Sequence, residues 1–338
     1  MKKGYRFLFF LIGVVGLAFL VIRLDPEEKD FKEVLQPKTL LFLAAMLLLW
    51  VLIYAVHTQA FFRIIGPDKK KIRWISLYRI IISGFALNNL TPFGLAGGEP
   101  YRIMELKPRL GAARAVSATL SFSMLFIIGH VLLWITGILL YVLFGCPGET
   151  WITVLLLLTG AVFITLSALF FLKRKGGLVV PVFRFLSRLP LIGKTMKGLL
   201  EKNQAHYDEI DESYVEFKNR KADFAAAAVM EYAARILEGM EYFLIFLYVG
   251  ESVNLFGGIL ILSMASLIGN LFFMIPMQAG SREGGMIMAL RWLNVDAGAG
   301  IPGGLLYRVR DILCSVIGIL CILIERKHEE KLQNGAPE

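Results

Sequence analysis

Two stretches of the sequence decide the fold: PFGLAGGEPYRIMEL (Pro92–Leu106) and PMQAGSREGGMIMAL (Pro276–Leu290). Aligned without gaps, they share five identical pairs: Pro92 with Pro276, Glu99 with Glu283, Ile103 with Ile287, Met104 with Met288 and Leu106 with Leu290. Chance gives roughly one identity over such a window at ordinary residue usage. The match therefore predicts two related halves at an offset of 184 residues (276 − 92).

The rest of the sequence is typical of an integral membrane protein. Hydrophobic residues make up 57% of its 338 residues and charged residues only 19%. Several runs are long and apolar on every face, among them residues 40–56, 151–172 and 255–275. Such runs are typical of helices that cross lipid. An earlier run, residues 7–22, follows three basic residues but precedes no small-residue cleavage site, so we interpret it as an uncleaved span.

The basic residues set the expected orientation. The net charge of +9 comes from Lys and Arg that cluster at the ends of the apolar runs, where they contact anionic lipid on the cytoplasmic side. We therefore expect no nucleic-acid partner. The basic loop at residues 69–73, the segment 173–221 and both termini are predicted to be cytoplasmic. The loops 144–150 and 250–254 contain no Lys or Arg and are predicted to lie outside.

These loop positions require residues 72–113 and residues 255–293 each to begin and end on one side of the membrane. Each segment is therefore predicted to be a re-entrant hairpin, and the two hairpins enter from opposite faces. The expected fold is an all-α polytopic membrane protein with about six spanning helices and two re-entrant hairpins in an inverted-topology repeat.

We expect residues 1–338 to form a single membrane domain. Repeat one covers about 39–143 and repeat two about 222–324, with a cytoplasmic connector at 173–221 between them. The connector mixes basic and apolar residues, as an amphipathic helix on anionic lipid would, and its later part, residues 201–216, is predicted to be a solvated helix.

Charged residues inside the predicted spans are the candidate site, because each costs roughly 2.5–3.5 kcal/mol to insert without a partner. They are Glu99 and Arg102 in the first hairpin, Arg282 and Glu283 in the second, Glu231, Arg235 and Glu238 in the span at 223–249, and Arg308 in the last span. The spacing of Glu231, Arg235 and Glu238 places them on one helix face. That face either contributes to a site or forms an intrahelical salt-bridge stripe. His130 is interpreted as a hydrogen-bonded packing residue.

The hairpins favour a binding role, because broken helices expose backbone groups that lipid cannot satisfy. The residues expected to shape them are Asn89, Pro92, Gly97, Gly98, Pro276 and Gly280. Helix N-termini and the arginines 102, 282 and 308 suit a phosphate, while the glutamates suit an amine. A zwitterionic or amine-bearing phospholipid headgroup would satisfy both signs of charge.

Enzyme motifs are scarce. The sequence contains no HExxH, GxSxG or P-loop motif and no Cys and His spacing for zinc, so we expect no cofactor and no enzymatic activity. A membrane-embedded lipid hydrolase or transferase stays an alternative, because paired carboxylates and arginines can also cleave phosphoesters, although no nucleophile stands out.

The hairpin motifs resemble those of a known family. The residues that carry the likeness are Asn88-Asn89-Leu90-Thr91-Pro92, Gly97-Gly98-Glu99-Pro100-Tyr101-Arg102, Pro276, Gly280, Glu283 and Leu305-Leu306-Tyr307-Arg308. They resemble the membrane domain of lysylphosphatidylglycerol synthases and its stand-alone flippase-like relatives, over about residues 5–324. The sequence departs from many relatives at Phe122-Ser123, where they carry a charged pair.

The resemblance implies a lipid-handling domain in the cell (inner) membrane of a bacterium or an archaeon. It implies translocation of phospholipids between leaflets, with membrane phospholipids as partners. Lipid aminoacylation is not expected, because no aminoacyl-transfer domain follows the membrane domain. The alternatives are an accessory protein that presents lipid or lipid-linked sugar to a separate lipid-modifying enzyme, and the membrane-embedded lipid enzyme named above.

Overall fold

The computed structural model describes residues 37–90, 95–143, 150–172, 177, 179–188, 193–271, 278 and 280–333. Within these residues every regular element is a helix, which confirms the predicted all-α class. The predicted span at residues 7–22 and the hairpin residues Pro92 and Pro276 lie outside the described residues.

The helices fall into two similar sets with a connector between them. The first set is α1 (Pro37–Ile65), α2 (Trp74–Leu90), α3 (Leu95–Leu110) and α4 (Ala112–Leu143). The intervening helices are α5 (Thr150–Leu172), α6 (Val179–Leu186), α7 (Gly193–Lys202) and α8 (Gln204–Asn219). The second set is α9 (Lys221–Val249), α10 (Leu255–Leu271), α11 (Ser281–Trp292) and α12 (Gly300–Gln333).

The two sets keep the register of the sequence match. Shifted by 184 residues, the ends of α1 at 37 and 65 become 221 and 249, which are the ends of α9. The same shift carries the α2–α3 pair onto the α10–α11 pair and α4 onto α12. Each half therefore consists of a long helix, a helix pair and a second long helix. Their orientation relative to a membrane stays a prediction.

The packing of the two halves is reciprocal. Helices α1 and α9 pack along each other at the centre, α2 packs on α12 of the other half, and α10 packs on α4. Within each half the members of the helix pair pack together. Each helix pair is therefore held between its own half and a long helix of the other.

Two described segments, Pro37–Lys71 and Ala112–Leu143, are long and apolar enough to cross a membrane. The helical stretches Thr150–Thr165 and Leu255–Leu271 are apolar but shorter. Helix α5 exposes a row of large apolar side chains: Trp151, Val154, Leu155, Leu157, Leu158, Val162 and Ile164. A continuous apolar surface of this kind is typical of contact with lipid. The number of spans, about six, stays a prediction.

The connector is folded against the bundle. Helix α8 packs on α4 and buries Ile210 and Phe217, so the segment predicted to be solvated has one covered face. Asp211 accepts hydrogen bonds from the backbone N–H groups of Val179 (2.7 Å) and Val180 (3.0 Å), which caps the start of α6. Burial, aided by the Asp211 carboxylate, raises the pKa of Tyr214, so this phenol stays neutral in the interface.

The close packing of α10 against α11 depends on a glycine. Gly285 of α11 lies directly on the backbone of α10, where an added Cβ would be 2.6 Å from the carbonyl oxygen of Met264 and 2.7 Å from Cα of Ala265. No side chain fits at such distances. Its neighbour Gly284 is exposed, and nothing lies within 4 Å of the equivalent position there. Small residues at close helix contacts are typical of membrane bundles.

Gly285→Ala should destabilise the protein by about 1–3 kcal/mol, because the new methyl group forces α10 and α11 apart. Gly284→Ala is the matched control in the same helix and should leave stability unchanged or slightly raised, since Ala favours helix over Gly. Thermal unfolding of the purified protein in detergent measures both. Equal melting temperatures for the two variants would contradict this account of the helix contact.

Candidate functional site

Helix α9 carries the charged face that the sequence predicts. Glu231 and Arg235 are buried, with 0% and 3% of their surface exposed, and Glu238 is partly buried. Glu241, three residues beyond Glu238 in the same helix, is also fully buried. Since α9 packs against α1, α4, α10 and α12, its charges must find partners on those helices.

The central partner is His57 of α1, which the sequence analysis did not identify. Its Nδ1 lies 3.0 Å from both carboxylate oxygens of Glu231, and its Nε2 lies 2.9 Å from Nη2 of Arg235. Arg235 also donates to Glu238 at 2.6 Å. Arg235 and Glu238 thus form an intrahelical pair, while Glu231 reaches another helix. That this face contributes to a site stays a prediction.

His130 borders the group formed by His57, Glu231, Arg235 and Glu238, here called the central cluster. Its Nδ1 lies 3.0 Å from the carbonyl oxygen of Phe126 in its own helix, as expected for a packing residue. Its Nε2 lies 3.4 Å from Nη1 of Arg235, which is a long contact. His130 is therefore a neighbour of the cluster, and its ring makes the weaker of the two histidine contacts with Arg235.

The first helix pair holds Glu99 and Arg102 as an ion pair of 3.1 Å. Oε1 of Glu99 also accepts hydrogen bonds from Ser123 of α4 (3.1 Å) and from Asn88 of α2 (3.4 Å). Asn88 in turn accepts the N–H of Gly98 at 2.7 Å. Asn88 therefore joins the two helices, whereas the predicted Asn89 is exposed. The predicted Gly97 and Gly98 are buried.

Arg102 lies in an aromatic cage. Its guanidinium is 4.5 Å from the ring centroid of Phe85 and 5.3 Å from that of Phe122, and only 1% of the residue is exposed. Among the described residues, Nε and Nη2 of Arg102 and Oε2 of Glu99 have no hydrogen-bond partner. Buried polar atoms without partners are costly, so this pair keeps unused hydrogen-bonding capacity.

In the second helix pair, Arg282 and Glu283 do not act together. Adjacent residues of a helix point about 100° apart, and each has separate partners here. Glu283 accepts hydrogen bonds from Nε of Arg308 and from the N–H of Gly280, both at 2.8 Å. Gly280 has φ +82°, which suits glycine at the start of α11. The predicted residues Glu283, Arg308 and Gly280 are therefore brought together.

Arg282 lies on a tyrosine surface instead. Its guanidinium is 4.6 Å from the ring centroid of Tyr307, and Nη1 lies 3.4 Å from the hydroxyl of Tyr242. Its Nε contacts Oε1 of Gln278 at 3.3 Å. Arg282 therefore has aromatic and neutral polar neighbours, while the carboxylate beside it in sequence serves another arginine.

The family described as "Lysylphosphatidylglycerol synthase TM region" matches residues 7–318 of the chain, which include both helix pairs and the central cluster. The chain belongs to this family. No curated protein and no solved structure matches it. Membership confirms the resemblance inferred from the hairpin motifs, and it makes the protein a helical membrane protein of a family involved in lipid modification or translocation.

This member of the lysylphosphatidylglycerol synthase membrane-region family contains one more buried cluster. Arg310 of α12 forms an ion pair with Glu241 of α9 and contacts Asp311 at 2.7 Å. Arg310 and Glu241 are separated by 69 residues and are not among the predicted site residues. Two carboxylates bind both Nη atoms of Arg310, and its Nε has no hydrogen-bond partner among the described residues. Because both carboxylates are paired with the same guanidinium, we interpret this cluster as structural.

Aromatic rings connect these clusters in the family member. The ring of His57 lies 5.4 Å from Phe85 and 6.3 Å from Phe122, the two rings that cover Arg102. Phe126 lies 5.0 Å from Phe85 and 4.4 Å from the guanidinium of Arg235. Toward the second pair, Tyr242 of α9 contacts Arg282 and lies 5.4 Å from Tyr307. Polar and aromatic side chains thus run from one helix pair to the other along α9.

Arg310→Met should destabilise the protein by about 3–5 kcal/mol, because it leaves the Glu241 carboxylate buried without a cation. The double variant Glu241→Met/Arg310→Met should regain most of that loss, since it removes both charges. Arg291→Met, at an exposed position of α11, is the control for loss of a positive charge. Melting temperatures in detergent decide the outcome: a double variant no more stable than Arg310→Met would contradict the pairing.

Proposed function

We propose that the protein is a lipid translocator, which moves phospholipid or amine-bearing lipid headgroups between leaflets through the charged clusters along α9. Family membership supports a role in lipid modification or translocation. We assign no catalytic residue to it. Its partners are membrane phospholipids, and its place is the cell membrane with both termini in the cytoplasm.

The unsatisfied ion pair of the first helix pair carries the proposal. Two nitrogens of Arg102, Nε and Nη2, and one carboxylate oxygen of Glu99 have no partner among the described residues. A phosphate accepts from a guanidinium, and an ammonium donates to a carboxylate. A zwitterionic or amine-bearing headgroup therefore complements both groups at once.

The burial of Arg102 supports a site that opens only for part of a transport cycle. Its guanidinium is covered by Phe85 and Phe122, so a headgroup reaches it only after α3 moves relative to α2 and α4. In transporters with inverted repeats, one bundle rocks against the other around a central site. The reciprocal packing of the two halves provides such a boundary along α1 and α9.

The remaining charged residues complete the proposed path. Glu231, Arg235 and Glu238 lie beyond the aromatic cage of Arg102, and Arg282 lies near the second pair. Glu283 and Arg308 have fewer open positions, because Glu283 is bound by two partners. We therefore propose that the Glu283–Arg308 ion pair keeps α11 packed against α12.

Arg102→Gln and Glu99→Gln should each reduce lipid translocation at least tenfold, because each removes one of the two charges that complement the headgroup. Lys107→Gln is the matched control: it removes a charge from the same helix at an exposed position and should keep the wild-type rate. The measurement is leaflet exchange of fluorescent and aminoacylated phospholipids in vesicles that contain the purified protein.

Several outcomes separate this proposal from its rivals. Release of the headgroup without leaflet exchange would identify a membrane-embedded lipid enzyme. A folded protein that shows neither leaflet exchange nor headgroup release would instead indicate an accessory that presents lipid to a separate enzyme. Wild-type exchange rates in both Arg102→Gln and Glu99→Gln would contradict the assigned site while leaving translocation itself in place.

A further inference from the structure

The central cluster contains a histidine whose protonation is determined by its neighbours. His57 is 1% exposed, and both ring nitrogens are engaged by charged groups of α9. A guanidinium has only donors, so Nε2 of His57 must accept the hydrogen bond from Arg235 and carries no proton. The ring proton is then on Nδ1, where it is donated to Glu231. The ring is neutral in this arrangement.

A second proton on His57 is incompatible with this arrangement. It would place an N–H at Nε2 against the N–H of Arg235 at 2.9 Å, and it would bring two cations into contact. The contact between Nδ1 and Glu231 would persist and strengthen, because it would join opposite charges. A proton and docked Arg235 therefore exclude each other at Nε2 of His57.

The charge of the cluster favours binding of a cation. With both carboxylates ionised, Glu231, Arg235 and Glu238 leave one net negative charge around the neutral ring. The ionisable groups that face His57 are Glu231, Arg235 and Glu238 of α9, His130 of α4, and Tyr54 of α1; the Glu99–Arg102 pair of α3 lies behind Phe85 and Phe122. One proton on His57 would bring the central cluster to neutrality.

The position of the cluster gives a bound proton a mechanical effect. Helices α1 and α9 are the central helices of the two halves, and His57 connects them between their ends, six residues before Arg63 and 18 after Thr39 in α1. Polar contacts also join them near the two ends, between Arg63 and Asp223 and between Thr39 and Tyr248. Protonation of His57 frees Arg235 from α1 and leaves it with Glu238, on its own helix.

We propose that His57 is the coupling-proton site of the translocator: a proton displaces Arg235 from Nε2, leaves the Glu231 contact as the only His57 link from α1 to α9 among the described residues, and links lipid movement to pH. The inference rests on the proposed function for its effect on transport. The exclusion of the proton by Arg235 does not depend on that function, so the two are tested separately.

The first test observes the ring directly. The chain has four histidines, so protein labelled with 13C and 15N in histidine and placed in lipid nanodiscs gives a resolvable NMR spectrum. His57→Gln assigns the signal. At high pH the wild-type ring should carry its single proton on Nδ1, and Arg235→Met should bind the second proton at least tenfold more tightly. A proton on Nε2 in the wild type, or unchanged proton affinity in Arg235→Met, would overturn the proposal.

The second test measures transport. Gln at position 57 can accept from Arg235 through its carbonyl and donate to Glu231 through its amide, but it cannot take up a proton. Wild-type leaflet exchange should rise several-fold from about pH 8 to about pH 5, the range in which histidine titrates. His57→Gln should not respond. His206→Gln, on the exposed connector, is the matched control and should respond like the wild type.

The two tests distinguish the possible failures. A wild-type protein that exchanges no lipid at any pH refutes the proposed translocation, while the NMR result still decides the proton site. A wild type that exchanges lipid, together with a His57→Gln variant that keeps the full pH response, refutes the coupling role of His57 and leaves translocation intact.

Discussion

An ionised side chain in an apolar helix bundle requires a partner, and this requirement fixes the position of α9. Apolar surfaces do little to set the rotation of a helix in lipid, because lipid is as apolar as the helix. The charged residues of α9 do set it: Glu231 and Arg235 face His57 of α1, and Glu241 faces Arg310 of α12. A rotation or a shift by one turn would leave several buried charges unpaired. The contact between the two halves therefore has one electrostatically favoured register.

The two halves share an architecture but differ in chemistry. At the offset of 184 residues, Glu231, Arg235 and Glu238 of α9 correspond to Leu47, Val51 and Tyr54 of α1. The charge is thus concentrated in one of the two central helices. The glutamate common to both helix pairs shows the same divergence. Glu99 pairs with an arginine of its own helix, whereas Glu283 pairs with Arg308 of the next helix.

Short-range features of the structure followed from the sequence. The helix pair α2–α3, the i,i+3 ion pair of Glu99 with Arg102 and the shared face of Glu231, Arg235 and Glu238 all depend on periodicity and local spacing. The association of Glu283 with Arg308 joins two predicted residues, whereas Arg282, next to Glu283 in the sequence, has other partners. Side-chain direction within one helix turn explains this difference, since neighbours diverge by about 100°.

Long-range partners could not be predicted in this way. His57 and Glu231 are separated by 174 residues, and Glu241 and Arg310 by 69, so no local pattern connects them. One feature of the sequence does point to His57. Helix α1 is the repeat equivalent of α9, and the isolated histidine of α1 faces the charged helix α9 once the halves pack together. Recognising it requires knowing that α1 and α9 are neighbours.

The unequal pairing of the two helix pairs has a consequence for the proposed translocator. Among the described residues, Glu99 and Arg102 of the first pair keep three buried polar atoms without a partner, whereas both oxygens of Glu283 in the second pair are engaged. Opening a helix pair exposes its charges to water or to a headgroup, which then form hydrogen bonds with them. The favourable free energy of these new hydrogen bonds is largest where the closed state leaves polar atoms without partners. The first pair therefore opens at lower cost than the second. If the repeat is inverted, the pairs face opposite sides, and this difference gives the protein a preferred side of access at rest.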